Sequence, residues 1–307
     1  MLHITDAMID ALVSPDDALE AMRTAFASFG RGEAAMQSRE RTEAGGIKLS
    51  TLGAVIPAHG VTGAKVYTTI QGQFNFVILL FSTETGAPLA TMEANAITRL
   101  RTAATTVLAA QYLAPRQPQQ LFLCGAGVQG VAHARQLTRH CGFKRIHVYD
   151  PYAPDAAFAR LQAECGVPVI RVADTHAVAD AEVVVTASRS AQPLFSGERI
   201  AGGAFVAAIG SSLPHTRELD DAALARANVI VVEWARQAAV EAGDLVLASP
   251  ALDVAGKLLE LGALLNGSPV QRPVGEQISL YKAVGVGLED IALAGLAYRQ
   301  YLKAGHA

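Results

Sequence analysis

Apolar positions along this chain change their spacing several times, and each change predicts a different kind of element. Between Ser14 and Gly32, Leu19, Met22, Phe26 and Phe29 recur three or four residues apart, the period of one helix face. Ser14 is a good N-cap, Pro15 suits the first helical position, and Asp16 and Asp17 favour the positive end of the dipole. Gly30 and Gly32 stop the helix. From Gly45 to Met92 the spacing shortens. GAKVYTTIQGQ and FNFVILLFSTETG are rich in Val, Thr, Tyr and Phe and separated by glycine turns, which predicts strands, with TETG before Ala87 and Pro88 as a hairpin turn. Helical spacing returns from about Ala94 to Tyr112, ending before Pro115. The segment APRQPQQ (114–120) reads as a linker, and a domain boundary is expected there.

Beyond that point short apolar runs alternate with helical ones. LFLCGAG, RIHVYD, VPVIRVA, AEVVVTAS, GAFVAAIG and NVIVVE read as strands; VQGVAHARQLTRH and APDAAFARLQAE read as helices. Such alternation predicts a parallel, doubly wound sheet. The end, from about Leu280, reads as a helix with Ile291, Leu293, Leu296 and Tyr298 available for burial. The expected fold class is α/β, a Rossmann-type doubly wound domain beside a mixed α+β domain.

Composition narrows the picture. Charged residues are 17% of the 307 and apolar ones 51%, against about 25% charged in an ordinary soluble domain. The deficit favours a large core or a buried subunit interface. It concentrates in 45–92, where Lys48, Lys65 and Glu84 are the charged residues, as in a sheet buried on both faces. A net charge of −3 gives no electrostatic case for nucleic acid or an anionic membrane. The longest compact apolar run, Phe76 to Phe81, is far short of a membrane span. The N-terminus lacks a basic segment followed by an apolar run, so no secretory signal is expected. Cys124, Cys141 and Cys165 lie far apart, without CxxC or zinc spacing, and read as reduced thiols of a cytoplasmic protein with no metal site.

GAGVQG (Gly125, Gly127, Gly130) matches GxGxxG, directly after a strand and opening a helix, the context this fingerprint needs. Gly125 allows the tight turn, Gly127 lets backbone approach a pyrophosphate, and Gly130 lets helix and strand pack closely. Asp150 ends the next strand, placed for a ribose 2′-hydroxyl, with Pro151 and Tyr152 after it and no adjacent cation for a 2′-phosphate. NAD is therefore expected over NADP. A lone lysine at 65, among apolar residues and Thr, either points into a pocket or snorkels to the surface. Arg101 lies in an Ala/Thr-rich helix beside Arg99, and Arg39 and Arg41 read on their own as a solvated charge run.

Nearly end to end, from about residue 15 to 303, the chain resembles the ornithine cyclodeaminase/mu-crystallin family. The motifs are the Arg-Thr near 41, GAKVYT (63–68), LRTAATT (100–106), GAGVQG, VYD, IGSSLPHTREL (209–219), EAGDL (241–245) and VGVGLEDIALA (284–294). The resemblance implies a substrate and dimerisation domain at 1–115, completed by the C-terminal helix 280–307, and an NAD-binding Rossmann domain at 116–279. It implies homodimers that join their sheets across a two-fold axis. Lys65 matches the active-site lysine and Arg101 the arginine that holds the substrate α-carboxylate; Arg41, or its neighbour Arg39, matches a second carboxylate ligand. Thr102, Gly125, Gly127, Val128, Gln129, Gly130, Asp150, Thr186, Ala187, Ser188 and Gly210 match cofactor positions.

The chain also departs from the cyclodeaminase pattern. Ser212 stands where that enzyme has an aspartate, and Ala44 to Pro57 contains no acidic residue where the cyclodeaminase has a glutamate. Serine cannot pair with an ammonium as a carboxylate does. His215 offers an acid/base three residues on. Two activities follow from the resemblance. A cyclodeaminase converts ornithine to proline and ammonia with NAD regenerated within the cycle. A reductase runs only hydride transfer from NAD(P)H to a cyclic imine of the pyrroline-2-carboxylate type, or acts as an amino-acid dehydrogenase, and Ser212 favours it mechanistically. A non-catalytic, mu-crystallin-like ligand-binding protein is a third expectation.

Overall fold

The computed structural model describes residues 1–305. The chain opens with β1 (Leu2–Ile4), α1 (Asp6–Leu12) and α2 (Pro15–Gly30). Ser14 and Asp17 close a capping box at the start of α2, each side chain accepting from the other's backbone N–H. Five strands carry the next segment: β2 (Ala35–Met36), β3 (Glu40–Ala44), β4 (Ile47–Ile56), β5 (Val61–Ile70) and β6 (Gln73–Ser82). β7 (Pro88–Glu93) and α3 (Asn95–Leu113) follow. The alternating part runs β8 (Gln120–Cys124), α4 (Val128–Cys141), β9 (Arg145–Tyr149), α5 (Asp155–Cys165), β10 (Val169–Arg171), β11 (Val183–Thr186) and β12 (Phe205–Ala208). It continues through α6 (Asp221–Arg226), β13 (Ala227–Val232), α7 (Ala235–Glu241), α8 (Gly243–Val246), β14 (Leu258–Glu260), α9 (Leu261–Leu265) and β15 (Ile278–Lys282). A long helix, α10 (Gly287–Lys303), comes last.

Two compact units result. The first holds Met1–Thr105, Leu265–Gly267 and the chain from Gly285; the second holds Thr106–Leu264 and Ser268–Val284. The chain passes between them inside α3, ahead of the proline-containing segment 114–120, which joins α3 to β8 within the second unit. The expected terminal helix from Leu280 is corrected at its start. Ile278–Lys282 is a strand with all five residues buried, paired on both sides in the second unit, and the helix begins at Gly287. Pairing by β12 and β13 overrides the local reading.

The first unit is built on a seven-stranded sheet of order β1-β7-β6-β5-β4-β2, with β3 also on β4; β1 and β7 are parallel and the other pairs antiparallel. Helix α10 packs on β4, β5 and β6. It lies close enough that a Cβ added at Gly63 would stand 2.2 Å from the Leu79 carbonyl oxygen and 3.2 Å from Ile291. On the covered face Leu52, Lys65, Ile78 and Met92 are cross-strand partners, and all four are buried. The opposite face is not covered within one chain: Leu49, Val55 and Val77 are 45%, 46% and 46% exposed. The expectation of a sheet buried on both sides therefore fails for a single chain.

In the second unit eight strands are all parallel, in the order β10-β9-β8-β11-β12-β15-β13-β14. Its core includes Phe122, Val184, Val206, Ile230 and Leu280. β9 flanks β8 on one side and β11 on the other, so the winding direction reverses between β8 and β11. Doubly wound sheets bind ligands beyond the carboxyl ends of their strands at such a reversal. Among the described residues no helix is long and apolar enough to cross a membrane.

Candidate active site

The glycine fingerprint sits at this reversal. Gly125 has φ +102, and a Cβ there would meet the Ala187 carbonyl oxygen at 2.5 Å. The Ala187 N–H donates to the Cys124 carbonyl at 2.8 Å, so the loops after β8 and β11 are tied edge to edge. A Cβ at Gly130 would stand 1.8 Å from the Gly125 carbonyl oxygen, whereas one at Gly127 would meet nothing within 4 Å. Gly127 is the N-cap of α4 and supplies no side-chain cap; Val128 and Gln129 form the first turn, with Val128 63% exposed. Such open first-turn amides, with an approach kept clear by glycine, fit a pyrophosphate. Asp150 shapes the same loop: one carboxylate oxygen accepts from Ala126 N at 2.8 Å, the other from Tyr152 N and Ala153 N at 2.9 and 3.0 Å. These residues fit a bound dinucleotide.

Glu218 organises the segments of Thr186, Ser188 and Gly210, which the sequence reading matched to cofactor positions. This fully buried carboxylate accepts from the Ser188 N–H and hydroxyl at 2.7 and 2.6 Å, from the Thr186 hydroxyl at 2.9 Å and from Gly210 N at 2.7 Å. Burial pushes its carboxyl up, opposed by the Lys282 ammonium and the Ser188 hydroxyl. Behind it Asp244 accepts from Glu218 N and Leu219 N and pairs with Lys282 at 2.8 Å, and Lys282 donates to the Ser211 carbonyl. Ser212 and His215 follow in the same loop, Ser212 partly buried and His215 exposed. Lys65, Arg41, Arg101 and Thr102 belong to the other unit.

In that first unit, Lys65 is 2% exposed and does not snorkel. Its ammonium lies 2.7 Å from Asp290, 3.4 Å from the Thr98 hydroxyl and 5.2 Å from the centre of the Phe76 ring. Desolvation lowers its pKa to about 8; Asp290 opposes the shift, and the Arg101 and Arg39 charges add to it. Arg101 reaches the same aspartate at 3.2 Å and Glu289 at 2.6 Å. Glu289 also accepts from the Thr105 hydroxyl and from Val286 N. Gly285, with φ +74, makes room for this guanidinium: a Cβ there would lie 2.8 Å from Arg101 Nη2. The Gly285 carbonyl accepts from Arg39 at 2.6 Å. Arg41 lies on the same face of the sheet as Lys65, opposite Ser50, which pairs with Tyr67. Thr102, nearly buried on α3, donates to the Thr98 carbonyl at 2.6 Å.

The family model of ornithine cyclodeaminase/mu-crystallin proteins matches residues 1–305. This chain belongs to that family. A crystal structure of a probable ornithine cyclodeaminase from Bordetella pertussis is 57% identical, with a TM-score of 0.97 over 99% of this chain and 98% of that one. The Δ1-pyrroline-2-carboxylate reductase of Bacillus cereus is 32% identical over 271 residues, 87% of this chain and 80% of that protein. An iminosuccinate reductase from Paracoccus denitrificans, in complex with NAD+, is 27% identical, with a TM-score of 0.91 over 99% and 97% of the two chains. The ornithine cyclodeaminase/mu-crystallin fold here thus carries its dinucleotide fingerprint in the setting of NAD-binding oxidoreductase relatives.

Three residues of this family member escaped the sequence reading. Glu289 and Asp290 stand within the motif VGVGLEDIALA without a role of their own in the sequence reading, yet both are 0% exposed. Two adjacent acids inside a segment that otherwise avoids charge were the available signal. Glu218 stands within IGSSLPHTREL without any local feature that separates it from a surface glutamate.

Proposed function

We propose that the protein is an NADH-dependent reductase of α-imino acids, of the Δ1-pyrroline-2-carboxylate type. The observation that carries this reading is the Lys65–Asp290–Arg101–Glu289 cluster, which lacks any carboxylate left over for a substrate ammonium. Lys65, Arg101 and Arg39 bring three positive charges against the two carboxylates, a surplus of one that suits a substrate carboxylate. Leu52, not an acid, stands directly opposite Lys65 across β4 and β5, and Ser212 holds the position of the cyclodeaminase aspartate.

When bound, NADH supplies the hydride that reduces the imine carbon. The first-turn amides of α4 from Gly127 to Gly130 would hold its pyrophosphate, Asp150 its ribose, and the Thr186–Ser188 and Gly210 segments its nicotinamide half. Arg101 and Arg41 grip the substrate carboxylate, and Glu289 and Asp290 keep the Arg101 guanidinium in plane. Lys65 gives its proton to the imine nitrogen. An ammonium with a pKa of about 8 is mostly charged at neutral pH and still a competent acid. Reduction therefore weakens as pH rises through about 8. Asp150 and the lack of a neighbouring cation favour NADH over NADPH. Leu49, Val55 and Val77 on the open face support a homodimer formed sheet to sheet.

The second reading, ornithine cyclodeaminase, is favoured by the 57% identical Bordetella structure. Incubation with ornithine and catalytic NAD, with proline and ammonia assayed, separates the two. The reductase reading predicts neither product, and steady formation of both overturns it.

A further inference from the structure

Two carboxylates and one lysine are buried together at the carboxyl ends of the second unit's strands. Glu218, Asp244 and Lys282 are each 0% exposed, and Lys282 is the one buried lysine or arginine of this unit among the described residues. Asp244 pairs with Lys282 at 2.8 Å through one oxygen and accepts from Glu218 N and Leu219 N at 2.7 and 2.8 Å through the other. Lys282 also donates to the Ser211 carbonyl at 2.6 Å. The two Glu218 oxygens accept from Ser188 N and Gly210 N, one each. Backbone N–H groups can only donate, so this arrangement fits the ionised carboxylate. Burial, together with the Glu218 and Asp150 charges, pushes the Cys124 thiol well up, so it stays neutral. Arg217 is occupied by Asp221 and by the Leu219 and Leu247 carbonyls. Two negative charges against one positive leave a surplus of one, a single hydrogen bond behind Ser188 and Gly210.

We propose that this surplus charge tunes the bound cofactor: Glu218 stabilises the cationic, oxidised nicotinamide over the neutral, reduced ring and so makes bound NADH a stronger hydride donor. The proposal rests on the dinucleotide reading of the Thr186–Ser188 and Gly210 segments above. In the reduction, hydrogen and its electron pair leave the ring for the imine carbon, the Lys65 proton goes to the imine nitrogen, and the ring is left with one positive charge. A fixed negative charge behind these segments therefore has more to attract after the transfer than before it. The α4 amides and Asp150 face parts of the dinucleotide that are the same in both oxidation states, so their contributions cancel in the ratio of the two affinities. At an effective dielectric of about 20, one unit charge about 10 Å away changes that ratio by about tenfold.

The test uses the full chain without substrate. NADH is titrated by fluorescence and NAD+ by its displacement of NADH, and the ratio of the two dissociation constants is read. Wild type is expected to bind NAD+ no more than about threefold more weakly than NADH. Glu218→Gln removes the charge and is expected to weaken NAD+ about tenfold more than NADH, which raises the potential of the bound two-electron couple by about 30 mV. Glu218→Asp keeps the charge on a shorter side chain; both affinities are expected to fall while their ratio stays within about threefold of wild type. A role confined to shaping the loops would weaken both cofactors in proportion in both variants. That result, or a wild type that prefers NADH by more than about threefold, would overturn the proposal, and the wild-type arm decides even where a variant fails to fold. A wild type that binds neither cofactor would instead overturn the dinucleotide reading beneath it.

Discussion

Asp290→Asn isolates the pair on which the proposed chemistry depends. The Lys65 ammonium lies 2.7 Å from the Asp290 carboxylate, and both groups are buried. At an effective dielectric of about 20, two unit charges at that distance attract by about 6 kcal/mol. The amide keeps a carbonyl dipole and admits screening, so about half of that is lost, or about 2 pK units. Arg101 loses a partner in the same step, and its charge acts on Lys65 in the same direction. The Lys65 ammonium should therefore fall from about 8 to about 6. The assay is kcat/KM against pH for NADH-dependent reduction of Δ1-pyrroline-2-carboxylate. At pH 7 the charged fraction drops from about nine-tenths to about one-tenth, so activity falls about tenfold and returns near pH 5.5. Removing one partner of a buried pair also costs about 3–5 kcal/mol of stability, so folding is checked by circular dichroism at the assay temperature. A variant whose activity still declines at the wild-type pH, or declines equally at every pH, would refute the idea that Asp290 holds the catalytic proton on Lys65.

Further predictions address the cofactor loops and the open sheet face. Glu218→Gln replaces an acceptor that takes four hydrogen bonds with a group that must donate on one side; a loss of about 2–3 kcal/mol is expected, read as a Tm lowered by about 5–10 °C, together with weaker NADH binding by fluorescence titration. An unchanged Tm and NADH affinity would contradict the role given to Glu218. Asp150→Ala should raise Kd for NADH at least about tenfold and narrow the preference over NADPH; equal affinity for both cofactors in the wild type would contradict the account. Val77→Asp, on the open sheet face, should convert a dimer to a monomer in sedimentation at micromolar concentration, and a monomeric wild type would remove the case for that interface.

The local signals in this sequence were read correctly where local physics decides the outcome. Ser14 and Pro15 start α2 because a cap and a fixed φ act within one turn. Gly125 and Gly130 mark the β8–α4 turn because their neighbours leave no room for a Cβ. Lys65 was conspicuous because the strand around it avoids charge, and the structure resolves its two readings in favour of burial. What was illegible depends on partners far along the chain. Ile278–Lys282 becomes a strand only because β12 and β13 flank it. Asp290 gains its meaning from a lysine more than two hundred residues earlier, a partner that no local pattern reveals. The passage between units inside α3 leaves no mark in composition, since a helix that runs from one unit into the next needs no linker. Arg39 lies just ahead of β3 and Arg41 within it, and their contacts separate them: Arg39 on the Gly285 carbonyl and Arg41 opposite Ser50.

The central claim is net hydride transfer to the α-carbon of an imino acid. Its most direct test supplies NADH deuterated at the transferring C4 position with Δ1-pyrroline-2-carboxylate, and follows both NADH loss and the mass of the proline formed. The account predicts one NADH consumed per proline and deuterium at Cα. Proline formed without NADH loss, or an unlabelled Cα, would contradict it.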